Sequence, residues 1–107
     1  MNEISIKDFY KIFQTKSNWR LIDVREPVEY DEAHIDGAIN IPLSLLIEKH
    51  FLFLNPTKEY FIICKNGSRS LSATSFLLTK GYNVINVVEG IIRWPGKVIK
   101  TTNQRYY

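Results

Sequence analysis

The only cysteine of this 107-residue chain, Cys64, begins a short basic turn, Cys-Lys-Asn-Gly-Ser-Arg-Ser over residues 64–70. An apolar run, 61–63, precedes the cysteine, and a helical pattern begins at Ser68. Backbone N–H groups at a helix start lack intrahelical partners and carry partial positive charge, so this turn is predicted to form a cradle for an anion. A cysteine that points into such a cradle is favoured as a thiolate, which is its nucleophilic form.

The residues that follow the cysteine form the predicted binding loop. Gly67 lets the backbone turn where a side chain would clash, and Lys65 and Arg69 add positive charge. The full loop comprises Lys65, Asn66, Gly67, Ser68, Arg69 and Ser70. The alternative is a small cysteine packed in the core, because free cysteine is among the most buried residue types. The polar residues after Cys64 favour the functional interpretation.

Two chemistries fit a cysteine in an anion cradle. In phosphoryl transfer the thiolate attacks phosphorus, and in sulfur transfer it takes a sulfane sulfur and carries it as a persulfide. Loop size discriminates between them, because a phosphate presents three oxygens to the ring of donors whereas a persulfide adds one sulfur atom. In this chain only four residues separate Cys64 from Arg69.

The elements that must position this loop alternate along the chain. Ser5 and Asp8 are predicted to cap a first helix, and Gly81 to end the helix that follows the loop. Strands are predicted at 19–24, 38–41, 60–64 and 83–88, helices at 27–32, 43–48 and 68–80, and a short helix or turn at 90–96. This α/β order predicts a parallel sheet of about five strands with helices on both faces. Ligands bind at the carboxyl ends of strands in such sheets, where Cys64 lies.

Helical spacing also predicts which side of the helix at 68–80 is apolar. Leu71, Thr74, Ser75 and Leu78 share one face, with Phe76 and Leu77 beside it.

Length and composition narrow the class of protein. The length fits one domain over residues 1–107, with a core at 4–96 and a tail at 97–107 whose last residues, 101–107, are expected to be partly disordered. A single cysteine excludes an intramolecular disulfide and a Cys-x-x-Cys motif. His34 and His50 lie 16 residues apart, which argues against a Cys/His zinc site.

Charge and hydropathy exclude further classes. The net charge of +3 is scattered without a basic run, which argues against nucleic acid as a partner and suits a small anionic substrate. No apolar run approaches the roughly 18–20 residues of a membrane span, and the N-terminus lacks a signal-peptide pattern. A free thiol without an export signal predicts a cytoplasmic protein.

Three stretches together resemble the signatures of the rhodanese domain family. Residues 21–42 resemble its N-terminal signature, residues 64–70 its six-residue active-site loop, and residues 87–96 its C-terminal signature. They stand in the family's order and cover nearly all of residues 4–96. Cysteine phosphatases and the arsenate reductases of this fold have a loop one residue longer, and phosphatases often have His where Ile63 stands.

The resemblance implies a rhodanese-like fold and a sulfurtransferase. Its Cys64 thiolate would take sulfur from thiosulfate or a persulfide, the N–H groups of 65–69 would hold the Cys64 persulfide, and a thiol, a protein or cyanide would accept it. No metal or organic cofactor is implied, and a chain with one cysteine needs an outside acceptor. The alternatives are a non-catalytic binding or regulatory module on the same fold and, less favoured, a cysteine-dependent phosphatase or arsenate reductase.

Residues near the loop carry more specific expectations. Arg69 either binds the donor or ties the loop to the domain. Asp23 and Arg25 are expected to form an ion-pair network, with Arg25 at the site edge as the alternative. Glu89 stands where the family usually has Gly, so its charge near the site would disfavour an anionic donor. Ala33 also replaces a frequent Gly of the family.

Residues further away are assigned to structure. His34 is expected to form structural hydrogen bonds in a turn, with a general base as the less favoured alternative, and His50 is expected to lie on the surface. Trp94 is expected to anchor the core. Phe51, Phe53 and Leu54 belong either to the core or to a partner-binding surface.

Overall fold

Five parallel strands form one sheet in the order β1-β5-β4-β2-β3 in a computed structural model that describes residues 2–101. The elements in chain order are β1 Glu3–Ile4, α1 Ile6–Thr15, β2 Leu21–Asp23, α2 Pro27–Glu32, β3 Ile39–Asn40, α3 Leu43–Phe53, β4 Glu59–Ile63, α4 Ser68–Thr79, β5 Asn83–Val87 and a 3₁₀ turn, Ile91–Arg93. The predicted α/β class and the parallel five-stranded sheet are confirmed.

Helices cover the sheet on both faces, as the continuous apolar run in β4 predicts. Phe61 and Ile63 face the core cluster that includes Phe9 of α1. Ile62 faces the opposite cluster, which includes Leu77 of α4. Because β4 is buried on both faces at the centre of the sheet, the residue that follows it is held by packing from two sides.

Local sequence signals mark several helix ends correctly. The Ser5 hydroxyl accepts a hydrogen bond from the Asp8 N–H at 3.0 Å, and Pro27 is the first residue of α2. Gly81 follows α4 with a φ of +88°. The N–H of Tyr82 then bonds the carbonyl of Leu77, which completes the helix-ending pattern in which glycine is favoured.

The predicted element bounds need several corrections. Strand β1 was not predicted, because it has only two residues and pairs with β5, after which the Val88 N–H donates to the Ile4 carbonyl. Helix α3 runs to Phe53 rather than to 48, across non-helical backbone at Lys49. Strand β2 is shorter than the predicted 19–24. The pairing of β1 with β5 is a tertiary contact that a local pattern does not contain.

The buried face of α4 also differs from the predicted face. Leu71 is 42% exposed. The buried residues are Ser70, Ala73, Thr74 and Leu77. Thr74 and Leu77 of the predicted side are thus buried, and Phe76 and Leu78 pack against the same core. The prediction is wrong at Leu71 and omits the small residues Ser70 and Ala73, which let the helix lie close to the sheet.

The last described residues bond to the region around α2. Ile99 pairs with His34 in an antiparallel bridge, and Thr101 donates to the backbone and side chain of Asp31. Apart from Thr101, the segment for which disorder was expected, 101–107, lies outside the described residues. In residues 2–101 no helix combines the length and the apolar character needed to cross a membrane.

Candidate active site

Cys64 lies directly after the central strand β4, and its sulfur receives hydrogen bonds from the loop. The N–H groups of Gly67 and Ser70 donate to Sγ at 3.1 and 3.3 Å. The thiol also lies 3.3 Å from the Ser70 hydroxyl, which donates to the Gly67 carbonyl at 3.1 Å. Two backbone N–H dipoles therefore point at the sulfur and stabilise negative charge there, whereas the Ser70 hydroxyl accepts from the thiol.

Cys64 is also completely buried. Its exposed fraction is 0%, and it packs within the core cluster on the α4 side of the sheet. Burial alone would match the alternative of a core cysteine. The two N–H donors aimed at Sγ distinguish this residue from a thiol that only fills space.

The loop rests against the segment that follows β5. The Ile91 N–H bonds the Cys64 carbonyl at 2.9 Å, and the Ile92 N–H bonds the Lys65 carbonyl at 3.0 Å. A Cβ at Gly67, whose φ is +97°, would lie 1.8 Å from the Val88 carbonyl oxygen. Glycine is required at this position because both its conformation and its surroundings exclude a side chain.

Part of the predicted ring of N–H donors is occupied by the loop's own atoms. The Asn66 side-chain oxygen accepts from the N–H and the hydroxyl of Ser68 at 3.1 and 2.9 Å. In the part of the chain that the structure describes, the N–H groups of Lys65, Asn66 and Arg69 have no acceptor. These three groups, with those already on Sγ, are the donors that a bound anion or a second sulfur can use.

The Arg69 side chain binds Glu29 of helix α2. Its two terminal nitrogens lie 2.6 and 3.0 Å from the two carboxylate oxygens, and the Glu26 N–H donates to the same carboxylate. The hydrogen bond from Arg69 lowers the pKa of Glu29 to about 2, and the same bond raises the pKa of Arg69. Arg69 was expected either to bind the donor or to attach the loop to the domain. These hydrogen bonds attach the loop to helix α2.

Sequence reasoning missed Glu29 as a partner of the loop. The sequence does indicate a structural role for Glu29, because Glu29 stands three residues after Glu26, which is the spacing of a helix capping box. The structure forms that box. The pairing with Arg69 spans 40 residues and had no local signal.

Asp23 and Arg25 form the expected ion pair in the interior. The Arg25 guanidinium lies 2.9 Å from the Asp23 carboxylate and also donates to the Ala33 carbonyl at 2.6 Å. The Asn40 side chain bonds the backbone carbonyls of both residues. This network fixes the carboxyl end of β2 beside the cysteine loop.

A cleft of about 200 Å³ adjoins the loop. Its lining residues are Arg25, Glu29, Glu32, Ala33, Lys65 and Ile91. Arg25 and Lys65 therefore both line this cleft. Two larger clefts, of about 460 and 390 Å³, lie around Trp19 and include none of the loop residues. Within residues 2–101 no group of three or more His, Cys, Asp or Glu side chains is arranged to hold a metal ion.

Glu89, which was expected near the site, and His34 both have structural contacts. The Glu89 carboxylate accepts the N–H of Ile6 at 2.8 Å, so it caps helix α1 rather than facing the cysteine loop. His34 is buried, with Nδ1 2.7 Å from the Tyr30 carbonyl and its ring stacked on Tyr30 at 3.7 Å. The structural role expected for His34 agrees with these contacts.

The assignments of more distant residues have mixed outcomes. Trp94 packs against the aromatic rings of α1, as expected for a core anchor. His50 was expected on the surface but is half-buried, with Nδ1 2.7 Å from the Tyr82 hydroxyl. Leu54 is buried, whereas Phe51 and Phe53 are 62% and 41% exposed.

A sequence model of the rhodanese-like domain matches residues 5–97. The chain belongs to the rhodanese-like domain family. This rhodanese-like domain is 33% identical over 97 residues to YtwF of Bacillus subtilis, which carries the name sulfurtransferase; the match covers 91% of this chain and 93% of YtwF.

Two further comparisons agree with the family. YrkF of Bacillus subtilis, named as a sulfur carrier protein, is 41% identical over 96 residues, which are 89% of this chain and 51% of YrkF. The chain thus spans about half the length of that relative. The crystal structure of a rhodanese-related protein from Thermoplasma volcanium superimposes with a TM-score of 0.82 at 35% identity, over 92% of this rhodanese-like domain and 98% of that chain.

Proposed function

We propose that this rhodanese-like domain is a sulfurtransferase that carries a sulfane sulfur as a persulfide on Cys64. The observation that carries the proposal is the pair of N–H groups, from Gly67 and Ser70, that donate to Sγ of a cysteine inside a short loop. They favour the thiolate needed for attack and would then stabilise the charged persulfide. Relatives named as a sulfurtransferase and a sulfur carrier support the same chemistry.

The loading step transfers one sulfur atom without net oxidation. The Cys64 thiolate attacks the outer sulfur of thiosulfate, the sulfur–sulfur bond of thiosulfate breaks, and sulfite leaves with the electron pair. With a persulfide donor the same attack releases a thiolate. The N–H groups of Lys65, Asn66 and Arg69 are then the free donors for the added sulfur.

The unloading step needs an acceptor from outside the chain. Cys64 is the only cysteine, so no second thiol can resolve the persulfide within this sequence. A thiolate from a small molecule or another protein attacks the outer sulfur and leaves with it, which restores the Cys64 thiolate. Cyanide performs the same step in the laboratory and leaves as thiocyanate. Because the thiol must be reduced to act, we place the protein in the reducing cytoplasm.

The donor must reach a buried sulfur. Cys64 has no exposed surface, and Lys65, the next residue, lines the adjoining cleft. We therefore place donor entry at this cleft, with a small displacement of the loop that uncovers Sγ.

The other candidate functions fit these features less well. A binding module would not need N–H groups directed at a cysteine sulfur. A phosphatase would need a wider loop than one with only four residues between Cys64 and Arg69.

Intact-protein mass tests the proposal. Wild type, Cys64→Ser and a control, Ser72→Ala on the exposed side of α4, are incubated with thiosulfate or a thiol persulfide and then with cyanide. We expect wild type and the control to gain one sulfur atom and to lose it as thiocyanate, while folded Cys64→Ser gains none. A Cys64→Ser protein that still turns over, or a wild type that no sulfane donor loads, would contradict the proposal.

A further inference from the structure

The cleft beside the cysteine loop is lined by two positively and two negatively charged side chains. Two of its charged groups are neutralised by partners: Arg25 pairs with buried Asp23 at 2.9 Å, and Glu29 pairs with Arg69 at 2.6 Å. Each of these pairs is also hydrogen-bonded by backbone groups. The charge of each of these four groups is therefore compensated by its partner, and the two pairs also hold the loop and the end of β2.

Two opposite charges remain available in the same cleft. Lys65 and Glu32 both line it and both are exposed. Among the residues that the structure describes, neither forms an ion pair. The cleft thus presents one unpaired cation and one unpaired anion, and the sum of its available charges is zero.

The remaining lining of the cleft is apolar. Ala33 and Ile91 also line the cleft, and each offers hydrocarbon surface to a ligand. Thiosulfate is a dianion without an apolar part, so it gains attraction from Lys65, meets repulsion from Glu32 and leaves the apolar surface unused. An organic donor with both a carboxylate and an ammonium group matches all three features.

We infer that the sulfur donor is a low-molecular-weight thiol persulfide of the amino-acid type, with its carboxylate at Lys65 and its ammonium group at Glu32. The inference rests on the proposed sulfurtransferase function and names its substrate class. The Cys64 thiolate attacks the outer sulfur of the hydropersulfide, the donor's sulfur–sulfur bond breaks, and the amino-acid thiolate leaves with that bond's electron pair. The proton of the outer sulfur stays with it, so Cys64 becomes a hydropersulfide and no oxidant or reductant is needed.

Three donors separate the contributions of the two charges. Cysteine persulfide carries the carboxylate and the ammonium group, N-acetylcysteine persulfide carries only the carboxylate, and thiosulfate is a small dianion. The rate at which Cys64 gains sulfur is measured by rapid-quench mass spectrometry for wild type, Glu32→Gln and Glu59→Gln. Glu59 begins β4 at the end of the strand opposite Cys64, so its variant makes the same change in net charge far from the cleft. Dividing each rate by the wild-type rate for the same donor removes differences in intrinsic reactivity.

We expect Glu32→Gln to slow loading from cysteine persulfide by about two- to fivefold, as for loss of one exposed charge contact. The same variant should leave N-acetylcysteine persulfide unchanged or faster and should speed loading from thiosulfate, while Glu59→Gln changes no donor. Equal effects of Glu32→Gln on all three donors, or no effect on any, would overturn the inference while Cys64 still gains sulfur. Failure of every donor to load wild type would instead overturn the sulfurtransferase itself.

Discussion

Arg69 of the cysteine loop holds Glu29 of helix α2 through two hydrogen bonds, at 2.6 and 3.0 Å, across 40 residues of sequence. Both side chains are about one-third exposed. The pair joins the loop that surrounds Cys64 to helix α2, which contributes Glu29 and Glu32 to the cleft beside that loop. Because of this pair, a movement of α2 would also move the loop.

Glu29→Gln should weaken this link while keeping an acceptor for the Glu26 N–H. We expect a loss of about 1 kcal/mol in the free energy of unfolding, since the pair is partly exposed. We also expect sulfur loading to slow by about tenfold or more, because the loop that positions Sγ is no longer fixed. Asp8→Asn is the control, since it removes an exposed 3.8 Å pair with Lys11 on helix α1. Loading at the wild-type rate in Glu29→Gln would show that the pair does not position the loop.

The Glu29 carboxylate should make the stability of the fold depend on pH. Its pKa falls from 4.5 to about 2 in the folded protein, so the folded state binds the proton less tightly than the unfolded state does. The stabilisation is therefore fully present above about pH 5 and is lost as pH falls from about 4.5 towards 2. Urea unfolding at stepwise lower pH should show a steeper loss of stability for wild type than for Glu29→Gln. Parallel pH profiles for the two proteins would contradict this assignment.

Gly67→Ala should disrupt the loop, and Gly81→Ala provides a matched control. Both glycines have positive φ, +97° and +88°, so both variants carry the backbone strain. Only at Gly67 would the new Cβ meet backbone, 1.8 Å from the Val88 carbonyl oxygen, whereas Gly81 has open space. We expect Gly81→Ala to cost about 1 kcal/mol and to keep sulfur loading, and Gly67→Ala to cost more and to abolish loading. Thermal unfolding and mass spectrometry measure the two effects, and equal behaviour of the variants would contradict the proposed close packing.

Glu89→Ala should affect stability but not the choice of donor. Its carboxylate caps helix α1 at the Ile6 N–H, so its loss should cost about 0.5–2 kcal/mol, as for other helix caps. Relative loading rates from thiosulfate and from a persulfide should remain those of wild type. A selective gain with thiosulfate would restore the earlier expectation that Glu89 repels anionic donors.

Much of the fold followed from local patterns. The apolar run before Cys64 predicted a strand buried on both faces, and Pro27, Ser5 and Gly81 marked helix ends because their preferences depend on nearby backbone. Strand β1 and the second half of α3 were missed. Their bonds come from distant elements, such as the Tyr82 hydroxyl that meets His50.

The candidate site, like the fold, was predicted from the sequence only in part. The sequence by itself determined the nucleophile candidate, its short glycine-containing loop and the family signatures around it, because a tight turn at a helix start constrains which residues stand there. Only the tertiary structure decided that Arg69 binds Glu29, that Glu89 faces α1 and that Lys65 and Glu32 line the same cleft. The physical reason is that a long charged side chain pairs with the oppositely charged group that lies nearest to it in the folded chain. Those distances depend on how the strands are ordered in the sheet.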